Sequence, residues 1–155
     1  MEFGIFSALS IREGQTEEVA FREWFEISDV CDQIGMDCFW LADFHFRPRS
    51  RTSAPIVGRA IASRTKHLKV GTAVSLTPLQ NPVRLAEGVA SVDHVTKGRF
   101  VFGVDRSSLL DAYQGYNVDW SESRERFFES LAIMRLAWGD SSFSYEGQCF
   151  ISFVM

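Results

Sequence analysis

The chain has 155 residues, 46% of them hydrophobic and 23% charged. That is enough for a single domain with its own core, and it excludes a disordered, collagen-like or disulfide-dense protein. Sixteen Lys and Arg against twenty Asp and Glu leave a formal charge of -4, so global charge draws in neither a nucleic-acid backbone nor an anionic membrane. Cys31, Cys38 and Cys149 lack the clustering of a structural zinc site and read as reduced thiols, and no metal is expected. With neither a basic leader before a long apolar run nor a membrane-length apolar stretch, the expected location is the cytoplasm.

In chain order, Glu2 to Ala8 reads as a first strand. A helix capped by Thr16 follows, with Glu17 and Glu18 in its first turn, a buried stripe of Ala20, Trp24, Ile27, Cys31 and Ile34, and Gly35 at its end. Asp37 to Ala42 is a second strand. The polar stretch Asp43 to Ser53 leads to a helix capped by Ser53 and running to about Thr65, with Pro55 in its first turn. Leu68 to Val74 is a third strand. Asn81 and Pro82 open a third helix with Leu85, Val89 and Val92 inward and Gly98 closing it, and Arg99 to Val104 is the fourth strand. A variable stretch, Asp105 to Val118, precedes a helix for which Asp119 and Glu122 fit a capping box and which buries Phe127, Leu131, Met134 and Trp138. The end of the chain alternates around Glu146-Gly147 like a small hairpin. Neither a repeat nor a linker-like stretch interrupts the sequence, so 1–155 reads as one domain.

Strand and helix alternate four times, and the strands are rich in Val, Ile, Leu and Phe, as in a parallel sheet covered on both faces. The fold class is α/β, built of about four parallel βα units. A small doubly wound sheet fits the length, whereas part of a (β/α)8 barrel, which needs at least about 200 residues to close, fits the motifs. In both architectures ligands bind where the strands end. Those positions are Ser7-Ala8, Ala42 to His45, Ala73 to Ser75 and Asp105-Arg106, while the opposite rim collects Gly35, Lys66, Lys69 and Lys97. The 14 Phe and 4 Trp call for a large core or a buried flat ligand.

The segments Gly35-Met-Asp-Cys-Phe-Trp-Leu-Ala-Asp-Phe-His-Phe46, Val70-Gly-Thr-Ala-Val-Ser-Leu-Thr-Pro78, Asn81-Pro-Val-Arg-Leu-Ala-Glu87 and Asp93 through Lys97-Gly-Arg-Phe100, with Gly103 and Arg106, together resemble the bacterial luciferase-like flavin monooxygenases. The resemblance runs from Met1 to about Phe150 and covers only the first half of a family member, so it implies the N-terminal half of a (β/α)8 TIM barrel. It implies reduced FMN as cofactor, O2 and an aldehyde or other small organic molecule as substrates, and a flavin reductase as supplier of the reduced flavin. F420 is the alternative cofactor in the same fold.

The resemblance assigns roles residue by residue. The family's Glu-His-His-Phe motif falls on Asp43, Phe44, His45 and Phe46, so its carboxylate is shortened and its first imidazole is a phenyl ring. His45, an imidazole suited to proton transfer near neutral pH, and Asp43 become the candidate catalytic residues. Neighbours on an extended segment point to opposite sides, so His45 does not simply stand in for a side chain at position 44. Ala73-Val74 matches the place where the family backs the flavin ring, often through a non-proline cis peptide bond. Gly103-Val104-Asp105-Arg106-Ser107 matches the arginine loop near the flavin and its phosphate, a role suited to a planar cation. Asp105 and Ser107 depart from the family pattern, and a carboxylate at 105 would either pair with Arg106 or repel an anionic reduced flavin.

Other matches read as scaffold. Arg84 with Glu87, and Asp93 with Arg99, suit ion pairs that fix the third helix. Arg47, Arg49 and Arg51 suit a solvated loop, His67 and His94 helix ends, and Trp24 and Trp138 the core. A sheet of four strands leaves two open edges and an apolar inner face, which call for a partner: a second copy of the chain or a complementing half-barrel. The uncapped apolar end, Cys149 to Met155, reads as an interruption. A non-catalytic flavin-binding protein or truncated fragment is therefore the reading from a different functional class.

Overall fold

The computed structural model describes residues 1–42, 44–46, 53–139 and 141–154, with the side chains of 153 and 154 outside that description. The chain divides into two compact units, Met1–Ser75 with Val92–Gly103 and Leu76–Ser91 with Val104–Met155. The elements follow as β1 (Gly4–Ser7), α1 (Glu17–Gln33), β2 (Cys38–Leu41), α2 (Ala54–Arg64), β3 (Lys69–Leu76), α3 (Pro82–Thr96), β4 (Phe100–Asp105), α4 (Leu110–Gly115), α5 (Ser123–Ala137), β5 (Phe143–Glu146) and β6 (Ile151–Val154). The first four strands form one parallel sheet in the order β1-β2-β3-β4, and β5 and β6 pair antiparallel as the expected hairpin.

The register explains the core of the first unit. Ile5 pairs with Phe39 and Phe39 with Val70, while Ser7 pairs with Leu41 and Leu41 with Thr72. Because side chains alternate along a strand, these residues share one face. Phe39, Leu41 and Val70 are buried there with Ala20, Trp24 and Cys31 of α1 and Val57 and Ile61 of α2. Each such large apolar side chain contributes about 2 kcal/mol by leaving water. The other face carries Phe6, Trp40 and Gly71. The Trp40 indole lies across Gly71, where a Cβ would come within 2.5 Å of two ring carbons. Phe6, on the edge strand, is 56% exposed, so this face is not covered as the composition of the strands suggests.

Helix α1 starts as its sequence dictates: the Thr16 hydroxyl accepts the Val19 N–H at 3.3 Å. It ends at Gly35, whose φ of +77° suits glycine and lets the Met36 N–H reach back to the Cys31 carbonyl at 2.9 Å. Its inward line differs from the expected stripe. Ser28 is buried while Ile27 and Ile34 are 43% and 64% exposed, because the spacing 20, 24, 28, 31 tracks the helical period and the Ser28 hydroxyl is satisfied by the Phe25 carbonyl at 2.8 Å. Helix α2 begins after Ser53, but through the Ser53 carbonyl, which accepts from Ile56 and Val57, and not through its side chain. Asn81 does cap α3, taking the Arg84 N–H at 3.0 Å, and Leu85, Val89 and Val92 are buried as expected.

At the amino-terminal rim of the sheet, the Asp32 carboxylate accepts the backbone N–H groups of Lys66, His67 and Leu68 at 2.9, 2.8 and 2.7 Å. Arg64 forks onto Asp29 beside it. Arg99 does not pair with Asp93; its guanidinium donates to the carbonyls of Ala62 and Leu68 at 2.8 Å each, because the last turn of α2 and the loop after it bring those acceptors to it. Arg84 and Glu87 form the expected pair at 3.1 Å, exposed on both sides, where such pairs stabilise by less than about 1 kcal/mol.

In the second unit, α5 begins at Ser123 and not within a capping box. Asp119 instead accepts from the Ser121 N–H and hydroxyl, each at 2.8 Å, and closes a short turn over Trp120–Glu122, leaving Glu122 to pair with Arg126. Trp138 is 45% exposed rather than core, since its indole N–H reaches the Ala86 carbonyl at 3.1 Å near the surface. Glu129 of α5 accepts the N–H groups of Gln148, Cys149 and Phe150 and so fixes the loop between β5 and β6. Among the described residues no helix is long and apolar enough to cross a membrane.

All three cysteines are free thiols. Burial pushes the Cys38 thiol up to about 11 and also raises Cys31, so neither presents thiolate near neutral pH. Native protein treated with iodoacetamide at pH 7.5 is therefore expected to leave Cys31 and Cys38 unmodified, with alkylation beginning at half-buried Cys149. In urea all three should react. Peptide mass spectrometry reads the difference, and equal labelling of Cys38 in native and unfolded protein would contradict this packing.

Candidate functional site

Parallel strands direct their carboxyl ends to one rim, and the candidate residues follow those ends. In the first unit, β2 is extended by the Ala42 N–H donating to the Ser7 carbonyl at 3.0 Å. Beyond it, Phe44 and His45 are half-buried and Phe46 is exposed with a φ of +56°. Asp43, Arg47, Arg49 and Arg51 lie outside the described residues.

Strand β3 continues two residues past the expected end, to Leu76. Ala73 and Val74 sit within it, half-buried, and the bond between them is cis, as expected of this position. The Thr72 hydroxyl before them donates to the Gly103 carbonyl at 2.8 Å and accepts the Gly103 N–H at 3.1 Å, locking β3 to β4 through a side chain.

In the second unit, Asp105 ends β4 and Arg106 follows, both exposed. Among the described residues Arg106 forms no ion pair, so of the two outcomes open to Asp105 the pairing with Arg106 is not the one adopted. Arg106 is nevertheless held. Its guanidinium carbon lies 5.3 Å from the Trp120 ring centroid, and its carbonyl accepts the Tyr113 hydroxyl. Ser107, at a φ of +70°, accepts the Leu109 N–H on its hydroxyl at 3.1 Å and turns the chain into α4. That helix, with Tyr113 fully buried, lies within the stretch that lacks a periodic pattern in the sequence. Burial raises the Tyr113 phenol above its ordinary value, so it remains a donor at neutral pH. Sequence reasoning missed Tyr113 and Trp120; the available signal was Asp119-Trp-Ser121, whose turn sets the indole at a helix entrance.

A flavin mononucleotide requires a small-residue wall for its ring and a cation for its phosphate. The first unit carries Ala73 and Val74 with small side chains partly accessible, and the second carries an exposed guanidinium free of carboxylate partners among the described residues. Each within its own unit, Ala73 and Val74 fit the ring and Arg106 fits the phosphate, while the exposed Asp105 beside Arg106, unpaired among the described residues, opposes an anionic group there.

A four-stranded parallel sheet with alternating helices defines an α/β protein with the architecture of the N-terminal half of a (β/α)8 barrel. The luciferase-like monooxygenase profile matches residues 1–153, and the chain belongs to that family. It is similar to the alkanal monooxygenase alpha chain of Photorhabdus luminescens, with 32% identity over 126 residues covering 80% of this chain and 34% of the relative. The F420-dependent glucose-6-phosphate dehydrogenase of Gordonia bronchialis is 32% identical over 138 residues, 82% of this chain and 40% of the relative. The fold superposes on the oxygenating constituent of 3,6-diketocamphane monooxygenase from Pseudomonas putida, solved in complex with FMN, with a TM-score of 0.93 at 21% identity over 100% of this chain and 44% of that one. The chain thus spans less than half the length of the relatives it matches.

Proposed function

We propose that this chain is the N-terminal, cofactor-binding part of a monooxygenase that uses reduced FMN and O2 to oxidise an aldehyde or another small organic molecule. The observation that carries the reading is Arg106: an exposed guanidinium without an ion-pair partner among the described residues, at the loop position where the family resemblance puts the flavin phosphate. Reduced FMN, when bound, supplies the oxygen chemistry. Ala73 and Val74 serve as the wall against which its ring rests. Arg106 neutralises and orients the phosphate, and Asp105 beside it sets the local charge. His45 and Asp43 are the residues that handle the proton, and the Phe44 ring stands where the family carries an imidazole.

In this reading residues 1–155 act as one partial-barrel domain. A flavin reductase supplies the reduced cofactor, and the remaining strands come from a second half-barrel, either another copy or a complementing segment. The F420-dependent relative, together with Phe44 in place of a histidine, favours a second reading, an F420-dependent oxidoreductase.

Fluorescence titration of the 155-residue protein with FMN, riboflavin and F420 tests both. The first reading expects saturable FMN binding in the micromolar range, weakened in Arg106→Ala by about 10- to 100-fold, the worth of a charge-assisted hydrogen bond. Preferred binding of F420 would replace the first reading by the second. No saturation with either cofactor up to millimolar concentration would leave the family scaffold without its cofactor function.

A further inference from the structure

The geometry points to Trp120 as a positioning residue for Arg106: the indole holds the guanidinium in place so that it meets a phosphate monoester already oriented. This deepens the reading above and rests on it for the identity of the ligand. An exposed arginine samples many rotamers and gives up that freedom when it binds an anion. Here both ends of Arg106 are tied to one aromatic pair. Tyr113 donates its hydroxyl to the Arg106 carbonyl, and Trp120 lies under the guanidinium at 5.3 Å. The two rings meet edge to face, with centroids 4.8 Å apart and planes at 82°, so backbone and side chain are braced by the same contact.

The brace is itself anchored. Tyr113 is buried and also hydrogen-bonds Ser123, and Trp120 is set by the turn that Asp119 closes through Ser121. An indole offers no lone-pair acceptor, so a cation–π contact leaves the guanidinium N–H groups without a conventional acceptor and open to a ligand's oxygens. The N–H fork therefore remains available to phosphate oxygens while the side chain is restrained. Such preorganisation raises affinity by reducing what binding must order.

The test compares wild type, Trp120→Leu and Trp120→Phe, the last keeping an aromatic face. In the unliganded protein, the Arg106 Nε–H cross-peak, assigned by its loss in Arg106→Lys, is expected to be displaced by the indole ring current. It should move to the position of free arginines in Trp120→Leu and only part of the way in Trp120→Phe. In titrations, Trp120→Leu is expected to weaken FMN about two- to fivefold, the scale of an exposed cation–π contact, with riboflavin unchanged because it carries no phosphate. Trp120→Phe should retain most of the FMN affinity.

An Arg106 cross-peak that does not respond to Trp120→Leu overturns the inference, as does an equal loss of FMN and riboflavin binding. If wild type binds no flavin, the flavin reading fails and the assignment of the phosphate ligand fails with it; the cross-peak alone then decides whether Trp120 positions Arg106.

Discussion

Gly103→Ala is expected to destabilise the protein by about 3 kcal/mol or more, at the upper end of what overpacking costs. A Cβ at this position would lie 2.2 Å from the Thr72 carbonyl oxygen and 3.3 Å from its carbon. Both are backbone atoms of β3, which cannot rotate away as a side chain can. The strand cannot retreat cheaply either, since the Gly103 N–H and carbonyl are both bound to the Thr72 hydroxyl. Domains of this size are stable by roughly 5 to 15 kcal/mol, so the variant should show a much lower urea midpoint, or expression in an unfolded form. An unfolding free energy within about 1 kcal/mol of wild type would show that β3 and β4 are not this close.

Asp32→Ala is expected to cost about 2 to 3 kcal/mol at pH 7, because it leaves three backbone N–H groups of the α2–β3 loop without their charged acceptor. The effect carries a pH signature. Burial raises the Asp32 carboxyl, but the N–H groups of Lys66, His67 and Leu68 together outweigh it and hold the group below the ordinary carboxylate range. A carboxyl whose folded value is depressed binds more protons in the unfolded chain. Its contribution is thus fully present above the unfolded value of about 3.9 and is lost as pH falls through the folded value. Urea unfolding of wild type and variant should differ most at pH 6 to 7 and converge toward pH 2. A difference that stays constant across that range would mean that the loss is one of packing and not of the carboxylate.

The sequence was most legible where local chemistry acts alone. Thr16, Gly35, Asn81 and Gly98 bound their helices because caps and left-handed residues need little beyond the adjacent turn. The four strands were found to within about two residues, and β3 was cut short because Ser75 and Thr77 look like loop while both are buried. The buried line of α1 was misplaced because Ser28 reads as polar, although its hydroxyl is spent on the helix's own carbonyl. Trp138 falls in the apolar stripe of its helix and so reads as core, and only a distant acceptor, the Ala86 carbonyl, accounts for its exposure. For the site, the loop carrying Arg106 was legible by resemblance, whereas the aromatic pair that restrains it was not. Tyr113 and Trp120 are separated by a turn and meet only when α4 forms, in a stretch whose short helix has too few residues to show a period.

The bond between Glu129 and the β5–β6 loop has a consequence for how that loop can vary. A carboxylate that accepts peptide N–H groups recognises no side chain, so this contact leaves positions 148 and 149 open to all residues that keep an N–H, with proline alone forbidden, whereas Phe150 is also held by its ring against Arg126. Gly147 has no such freedom, because a Cβ there would fall 2.4 Å from the Glu129 carboxylate oxygen. The hairpin can therefore change its surface character, in charge, polarity or bulk, while its attachment to α5 stays the same, which makes it a place where relatives of this chain can diversify without refolding.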